Sequence, residues 1–171
     1  MCQHGHDFSY TVSVRHIPSA GTEVRLTASD EERKRLAERF SVIEIPFFAA
    51  TVRLEHADAG KVRAKGDFQA TVVQTCGVTL DAFQQEVREE FDLLFKETAS
   101  DGRGQKECVV DMDDECEPME NGVIELGETI AQLLSLSLDA FPKRKDAVFC
   151  FKEADDEKKS PFAVLETLRK K

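Results

Sequence analysis

The cysteines are the residues of this sequence with the most versatile chemistry, and Cys76 lies in "QTCGVTL", between a predicted strand and a turn. A catalytic thiol needs a neighbouring base or a helix N-terminus that lowers its pKa. No base can be named around Cys76, and the four histidines have no recognisable partner motif. Because free cysteine usually behaves as a small buried hydrophobe, we expect Cys76 to be structural. A thiol enzyme is the lesser alternative.

Metal binding is the second chemistry open to these cysteines, since structural zinc sites use close spacings such as CxxC. Thr79 stands where the second cysteine of such a pair would be, and Cys108 and Cys116 are separated by acidic residues. A zinc site would therefore have to combine cysteines that are far apart in the sequence. The leader "CQHGH" could take up copper or nickel through His4 and His6, although adventitious uptake by a frayed terminus is simpler. We predict no metal and no cofactor.

Motifs of the common enzyme classes are missing from the sequence. It has no phosphate-binding glycine loop, no nucleophile elbow and no metalloprotease signature. The basic clusters "PKRK" and "LRKK" are explained most simply as partners of helix dipoles. We predict that the protein is not an enzyme.

Charge narrows the possible partners. The net charge is −10 at pH 7, whereas proteins that bind nucleic acid through phosphates are usually basic. The acid is concentrated in residues 107–128, which contain no Lys or Arg. This stretch is either a solvated loop or a surface that attracts a basic partner. Direct contact with RNA is disfavoured.

Compartment and membrane association follow from the cysteines and the hydropathy. Five cysteines are an odd number in a chain too large to need disulfides, as expected for reduced thiols. No apolar run approaches the roughly 18 residues of a membrane span, and no secretory signal is visible at the N-terminus. We expect a cytoplasmic protein without membrane association.

Alternating apolar residues predict most of the strands. Residues 8–14 and 22–28 alternate, and the turn signal between them suggests a hairpin. Residues 42–56 indicate a strand region interrupted at Pro46, which favours an edge or a bulge, and residues 60–76 indicate another. Residues 83–95 fit a helix or a strand by periodicity, and their Phe-rich composition favours a strand for the second half.

Three helices are predicted. The first covers residues 29–40, with Ser29 and Glu32 forming a capping box, and lies across the edge of the sheet. The second is a long apolar helix over 127–141, which Pro142 ends, and Leu136 widens its apolar face. A short C-terminal helix begins at Pro161 and must dock on another element. The fold class is α+β, with a largely antiparallel sheet of about five or six strands.

The domain organisation is one domain over residues 1–171. Residues 1–7 are expected to form a flexible leader, and residues 98–122 a mobile acidic loop.

The order of several short motifs resembles the bacterial YceD family. A "C-x-V-T-L" stretch precedes "EP" and "G-x-I-x-L-G-E", a Leu-rich helix follows, and "PFAVL-x-x-L" closes the chain. The early helix resembles the form seen in alphaproteobacterial members. The resemblance covers roughly residues 8–171, and the motif residues that we single out as structural or partner-binding are Cys76, Thr79, Leu80, Leu126, Gly127, Glu128, Pro142, Pro161, Phe162 and Leu165.

The resemblance implies a role in large ribosomal subunit biogenesis, because the family is linked to accumulation of the large-subunit ribosomal RNA. It carries no catalytic residues. Many relatives have a second cysteine where this chain has Thr79, so a role that needs the pair is not expected here. Given the acidic charge, we expect a basic ribosomal protein or assembly factor as partner. The alternative is an interaction module of another pathway that docks through its C-terminal helix.

Overall fold

The computed structural model describes residues 7–97 and 116–148. Helices and strands alternate irregularly along these residues, as expected for the α+β class. In chain order the elements are β1 (Thr11–Ser13), β2 (Thr22–Thr27), α1 (Asp30–Phe40), β3 (Glu44–His56), β4 (Val62–Thr75), β5 (Ala82–Glu97), β6 (Cys116–Met119), β7 (Val123–Glu125) and α2 (Leu126–Ser137). None of the described helices is long and apolar enough to span a membrane.

The larger sheet has five strands in the order β2-β3-β4-β5-β6. Its neighbouring strands are antiparallel except β5 and β6, which are parallel. A second, two-stranded sheet joins β1 to β7. The predicted hairpin between the first two strands is therefore wrong, because β1 pairs with β7 and β2 pairs with β3. Alternation fixes which face of a strand is buried and does not select its partner.

Pro46 lies in an internal strand, because β3 has β2 on one side and β4 on the other. The register of β3 against β4 shifts between Glu44 and Phe47. This irregularity accommodates a residue that has no N–H to donate to the ladder. The irregularity confirms the predicted bulge; β3 is internal as a whole, but Pro46 lies outside its residues Ala49–Leu54 that pair with β2.

Strand β5 resolves the ambiguity of residues 83–95. The whole of Ala82–Glu97 is a strand, paired with β4 from Val62↔Phe95 to Thr75↔Ala82. The strand predicted for the second half of residues 83–95 therefore includes the first half of these residues as well. Val87, Phe91 and Phe95 are buried on the face that packs on the core, so long-range pairing decides what periodicity left open.

A row of phenylalanines crosses the buried face of the sheet. Ring centroids of Phe8 and Phe48 are 5.3 Å apart, those of Phe48 and Phe68 6.3 Å, and those of Phe68 and Phe91 6.5 Å. Such spacings are typical of favourable aromatic contacts. The row connects the N-terminal segment to three successive strands, and both helices contribute buried residues to the same core.

Helix α1 begins with the predicted capping box. The Ser29 hydroxyl accepts from the Glu32 amide N–H, and the Glu32 carboxylate accepts from the Ser29 amide N–H at 2.8 Å. The helix buries Leu36 and Ala37 and packs mainly on β3. The expectation that this helix lies across the sheet edge stays a prediction.

Helix α2 is shorter than predicted. It has 12 residues and ends at Ser137, where the expected helix continued to Phe141, so the long apolar helix is wrong. Leu138 is already extended, and the Ser137 hydroxyl donates back to the Leu133 carbonyl oxygen at 2.9 Å. Serines that bond their own backbone favour helix ends over helix interiors. Leu136 is 82% exposed, so the expected wider apolar face is also wrong.

Several predicted segments fall wholly or partly outside the described residues. The C-terminal helix and residues 1–6 of the leader lie there, as do residues 98–115 of the acidic loop. Residues 116–119 of that loop form β6 instead, and Met119 is buried. The parallel pairing of β6 with the end of β5 satisfies this segment's backbone in a sheet, which its acidic composition did not indicate.

Gly127 allows α2 to begin directly against the N-terminal segment. Its N–H donates to the Tyr10 carbonyl oxygen at 3.1 Å. A Cβ at this position would lie 2.6 Å from both the Phe8 carbonyl oxygen and the Tyr10 nitrogen. A side chain would therefore push β1 and α2 apart.

A bidentate ion pair joins the two helices. Arg39 of α1 donates to both carboxylate oxygens of Glu128 in α2, at 2.6 and 2.9 Å. The hydrogen bond to Glu128 raises the pKa of Arg39, and Asp7 adds a second carboxylate at 3.7 Å. The Arg39 and Glu128 side chains are 37% and 14% exposed, so solvent screens the pair only in part.

Gly127→Ala should lower the free energy of unfolding by about 1–3 kcal/mol, the usual cost of forcing a group into a filled space. Chemical denaturation followed by circular dichroism measures this. Gly77→Ala is the matched control, because the nearest atom to its added Cβ is the Pro142 oxygen at 3.7 Å. The control should stay within about 0.5 kcal/mol of wild type. Equal effects of the two changes would contradict a close approach at Gly127.

A double-mutant cycle with Arg39→Met and Glu128→Gln should give a coupling energy of about 1 kcal/mol that decreases with added salt. Denaturation of the four proteins supplies the values. The same cycle on Arg25 and Glu23, whose side chains are 81% and 49% exposed, should give a coupling near zero. If the coupling energy of Arg39 and Glu128 is no larger than that of Arg25 and Glu23, the ion pair does not stabilise the contact between the two helices.

Candidate functional site

The described motif residues form two groups. Leu126, Gly127 and Glu128 start α2, where Leu126 is fully buried and the other two make the contacts given above. Cys76, Thr79, Leu80 and Pro142 form the second group, because the β4–β5 turn lies against the segment that follows α2. Pro161, Phe162 and Leu165 lie outside the described residues.

Two backbone contacts bring the second group together. The Gly77 N–H donates to the Pro142 carbonyl oxygen at 2.8 Å, and the Arg144 N–H donates to the Cys76 sulfur at 3.5 Å. Arg144 also forms ion pairs with Asp146 and Asp81. The segment after α2 is thus attached to the turn through both backbone and side chains.

The β4–β5 turn is closed by its own hydrogen bonds. The Cys76 N–H donates to the Asp81 oxygen at 2.8 Å, and the Leu80 N–H donates to the Cys76 oxygen at 2.9 Å. Leu80 has a φ of 62° and is 76% exposed. A left-handed leucine is sterically unfavourable, so the closed turn must hold it in that conformation. Leu80 is therefore not part of the core.

The Cys76 thiol lies inside this turn and has no exposed surface. A hydrogen bond from the Thr79 hydroxyl lowers its pKa to about 6, helped by the N–H groups of Arg144, Thr79 and Val78 and opposed by burial. A lowered pKa favours the thiolate, which is the reactive form of cysteine. Because the sulfur is enclosed, it is placed to accept the hydrogen bonds that hold the turn.

Burial of Cys76 agrees with its expected structural place, while its lowered pKa differs from that of a simple buried hydrophobe. The signal in the sequence was Thr79, three residues further on. As a zinc half-site the pair Cys76 and Thr79 is incomplete, but a hydroxyl at this position can donate to the sulfur.

Metal ligands do not gather in the described residues, where no group of three or more His, Cys, Asp or Glu side chains could hold an ion. Cys116 is half-buried in β6 with a free thiol. Cys108 of the predicted long-range zinc site lies outside these residues, as do His4 and His6 of the leader.

Gln74 was missed by the sequence reasoning. It is 7% exposed, and among the described residues its Oε1 has no hydrogen-bond partner. The residue lines a cavity between the last turns of the two helices. The sequence did carry a signal for this residue. Gln74 is a polar residue between Val72 and Cys76, in a series of alternate positions that are otherwise apolar and face the core.

Comparison with known proteins agrees with the motif resemblance. A family model described as "Large ribosomal RNA subunit accumulation protein YceD" matches residues 64–169, more than half of the chain. The match begins in β4 and includes both groups of motif residues. No curated protein and no solved structure matches the chain. On the strength of the family match, together with the motifs that start α2 and close the β4–β5 turn, the chain belongs to the YceD family.

Proposed function

We propose that this protein supports accumulation of large-subunit ribosomal RNA without catalysis, by holding a basic ribosomal protein or assembly factor. The observation that carries the proposal is the family match. The net charge of −10 supports a protein as the direct partner, because an acidic surface repels RNA phosphates and attracts basic proteins.

The solvent-facing side of the larger sheet also supports a protein partner. Three of its arginines are paired with carboxylates: Arg25 contacts Glu23 at 3.1 Å, Arg63 contacts Asp92 at 2.6 Å, and Arg53 contacts Glu55. The Arg63 guanidinium holds the pKa of Asp92 below its usual range. Phosphate groups would have to compete with these carboxylates, so this face is poorly suited to binding an RNA backbone.

A thiol enzyme is the second candidate, and the lowered pKa of Cys76 is the observation that favours it. Low-pKa cysteines are typical nucleophiles. Catalytic thiols are partly exposed, however, whereas Cys76 has no exposed surface. The hydrogen bonds from Thr79 and Arg144 explain the thiolate as part of the turn, which makes the enzyme the weaker proposal.

Depletion of the protein in its host should reduce large ribosomal subunits and their RNA selectively. Sucrose-gradient profiles with quantification of both ribosomal RNAs measure this, and the small-subunit RNA is the internal control. An unchanged ratio would contradict a role in large-subunit accumulation and favour an interaction module of another pathway. Tight, salt-sensitive binding of the purified protein to naked ribosomal RNA would instead contradict the protein-mediated mechanism.

Cys76→Ser should rescue depleted cells while destabilising the fold more at high pH. The folded-state pKa of about 6 lies below the unfolded value of about 8.5 to 9. The thiolate therefore stabilises the native state above the unfolded pKa, and this stabilisation is lost as the pH falls towards 6.

The difference in unfolding free energy between wild type and Cys76→Ser should thus grow from pH 6 to pH 9. Urea denaturation at several pH values measures it, with Cys116→Ser as the control thiol. If Cys76→Ser is as stable as wild type but does not rescue the depleted cells, that result would favour the thiol enzyme.

A further inference from the structure

The solvent-facing side of the larger sheet consists of a charged half and an uncharged half. The charged half contains the ion pairs of Arg53 with Glu55 and of Arg63 with Asp92. In the other half, the strand register places six uncharged side chains next to one another, and we call them the uncharged patch: Phe47 and Ala49 of β3, Gln69, Thr71 and Val73 of β4, and Gln84 of β5.

Phe47 is the apolar centre of the uncharged patch and is 45% exposed. Thr71 lies directly opposite Phe47 in the register, and Ala49 and Val73 beside them are half-buried. The register shift of β3 leaves Pro46 exposed next to Phe47. An aromatic ring among alanine, valine and proline side chains is apolar surface whose covering lowers the free energy.

The described part of the chain ends near the same end of the sheet. The Arg144 N–H donates to the Cys76 sulfur at 3.5 Å, at the end of β4, and Val148 is the last described residue after it. Thr71 lies about 13 Å from the end of β4 along the strand. Because residues 149–160 span about 40 Å when extended, the segment that follows them can reach the uncharged patch.

The C-terminal segment 161–168 has the pattern that packing on such a surface requires. Its sequence predicts a short helix with Phe162, Leu165 and Leu168 on one face. A helix of this length is marginal in isolation and has to pack on another element. The family match extends from β4 to residue 169 and includes both this segment and most of the uncharged patch, which favours a contact within one domain.

Charges at the border of the uncharged patch complement the end of the chain. The register pairs Glu44 with Val73 and Glu86 with Thr71, so both carboxylates adjoin the patch. Residues 169–171, which follow the predicted helix, are Arg, Lys and Lys. Opposite charges around an apolar contact fix the orientation of the two surfaces.

We propose that residues 161–168 pack on the uncharged patch, with the apolar face of the predicted helix turned towards Phe47 and Val73. The sheet then has a helix on its outer face as well as two on its inner face, which is a common layer arrangement. This contact within the chain is independent of the proposed function. It also occupies the helix through which the alternative interaction module would dock.

Nuclear magnetic resonance of the full chain tests this proposal. Nuclear Overhauser effects should connect the methyl groups of Leu165 and Leu168 with the Phe47 ring. The amides of residues 162–168 should exchange with solvent about tenfold more slowly than those of an isolated peptide of the same sequence. Exchange at the rate of the peptide, or contacts of these methyl groups with Leu136 of α2 instead of Phe47, would overturn the proposal.

Phe47→Ser is the decisive variant, because it removes the apolar centre of the uncharged patch. It should accelerate amide exchange in residues 162–168 about tenfold while the amides of β4 keep their protection. Leu136→Ser is the matched control, since Leu136 is a large exposed apolar residue of α2, and it should leave the tail unchanged. Equal effects of the two variants on the tail would contradict docking on the uncharged patch.

Leu165→Ser is the reciprocal variant, which tests the contact without altering the sheet. It should shift the resonances of Phe47 and Val73 and leave those of Leu136 unchanged. Unchanged resonances of Phe47 and Val73 would show that the tail packs elsewhere.

A second copy of the chain is the competing occupant of the uncharged patch. A contact within one chain predicts amide exchange that is independent of protein concentration and a monomer in sedimentation velocity. Protection that increases with concentration, together with a dimer, would overturn the proposal in favour of a second copy. These measurements use purified protein, so their failure is distinguishable from an unchanged ribosome profile, which tests the proposed function.

Discussion

The contact of the Phe8, Phe48, Phe68 and Phe91 rings is the interaction on which the rest of the structure depends. Strands β3, β4 and β5 are long and apolar on one face, and that face must be removed from water. Among the described residues, the two short helices, the segment before β1 and the small β1–β7 sheet cover it. The accuracy with which these few elements are placed therefore decides whether the sheet is stable.

The family motifs make sense as devices for that placement. Gly127 brings the backbone of α2 against that of the N-terminal segment, and Glu128 ties α2 to α1 through Arg39. The sulfur of Cys76 and the carbonyl oxygen of Pro142 then accept the hydrogen bonds that attach the chain beyond α2 to the β4–β5 turn. Both ends of a short helix are thus held by polar contacts, which compensates for a helix too short to be stable alone.

Sequence reasoning succeeded where the signal is local. The capping box of α1 and the alternation within β2, β3 and β4 depend on neighbouring residues, and the structure has them as expected. The partner of β1 and the strand at Cys116–Met119 depend on residues far along the chain, so no local pattern could indicate them. The same reason explains the candidate site: the Cys76 sulfur contacts Arg144, 68 residues further along the chain, and the Gln74 cavity combines β4 with the ends of both helices.

The pairing of β1 with β7 has a consequence for synthesis. The chain leaves the ribosome from its N-terminus, and hairpin contacts can already form among β2 to β5. β1 has to wait for Val123–Glu125, and Phe8 and Tyr10 for the helix that follows. During that interval the apolar face of the nascent sheet lacks α2 as a cover. Closing of the N-terminal segment is accordingly a late, long-range step, which makes the order of translation itself a constraint on folding of this protein.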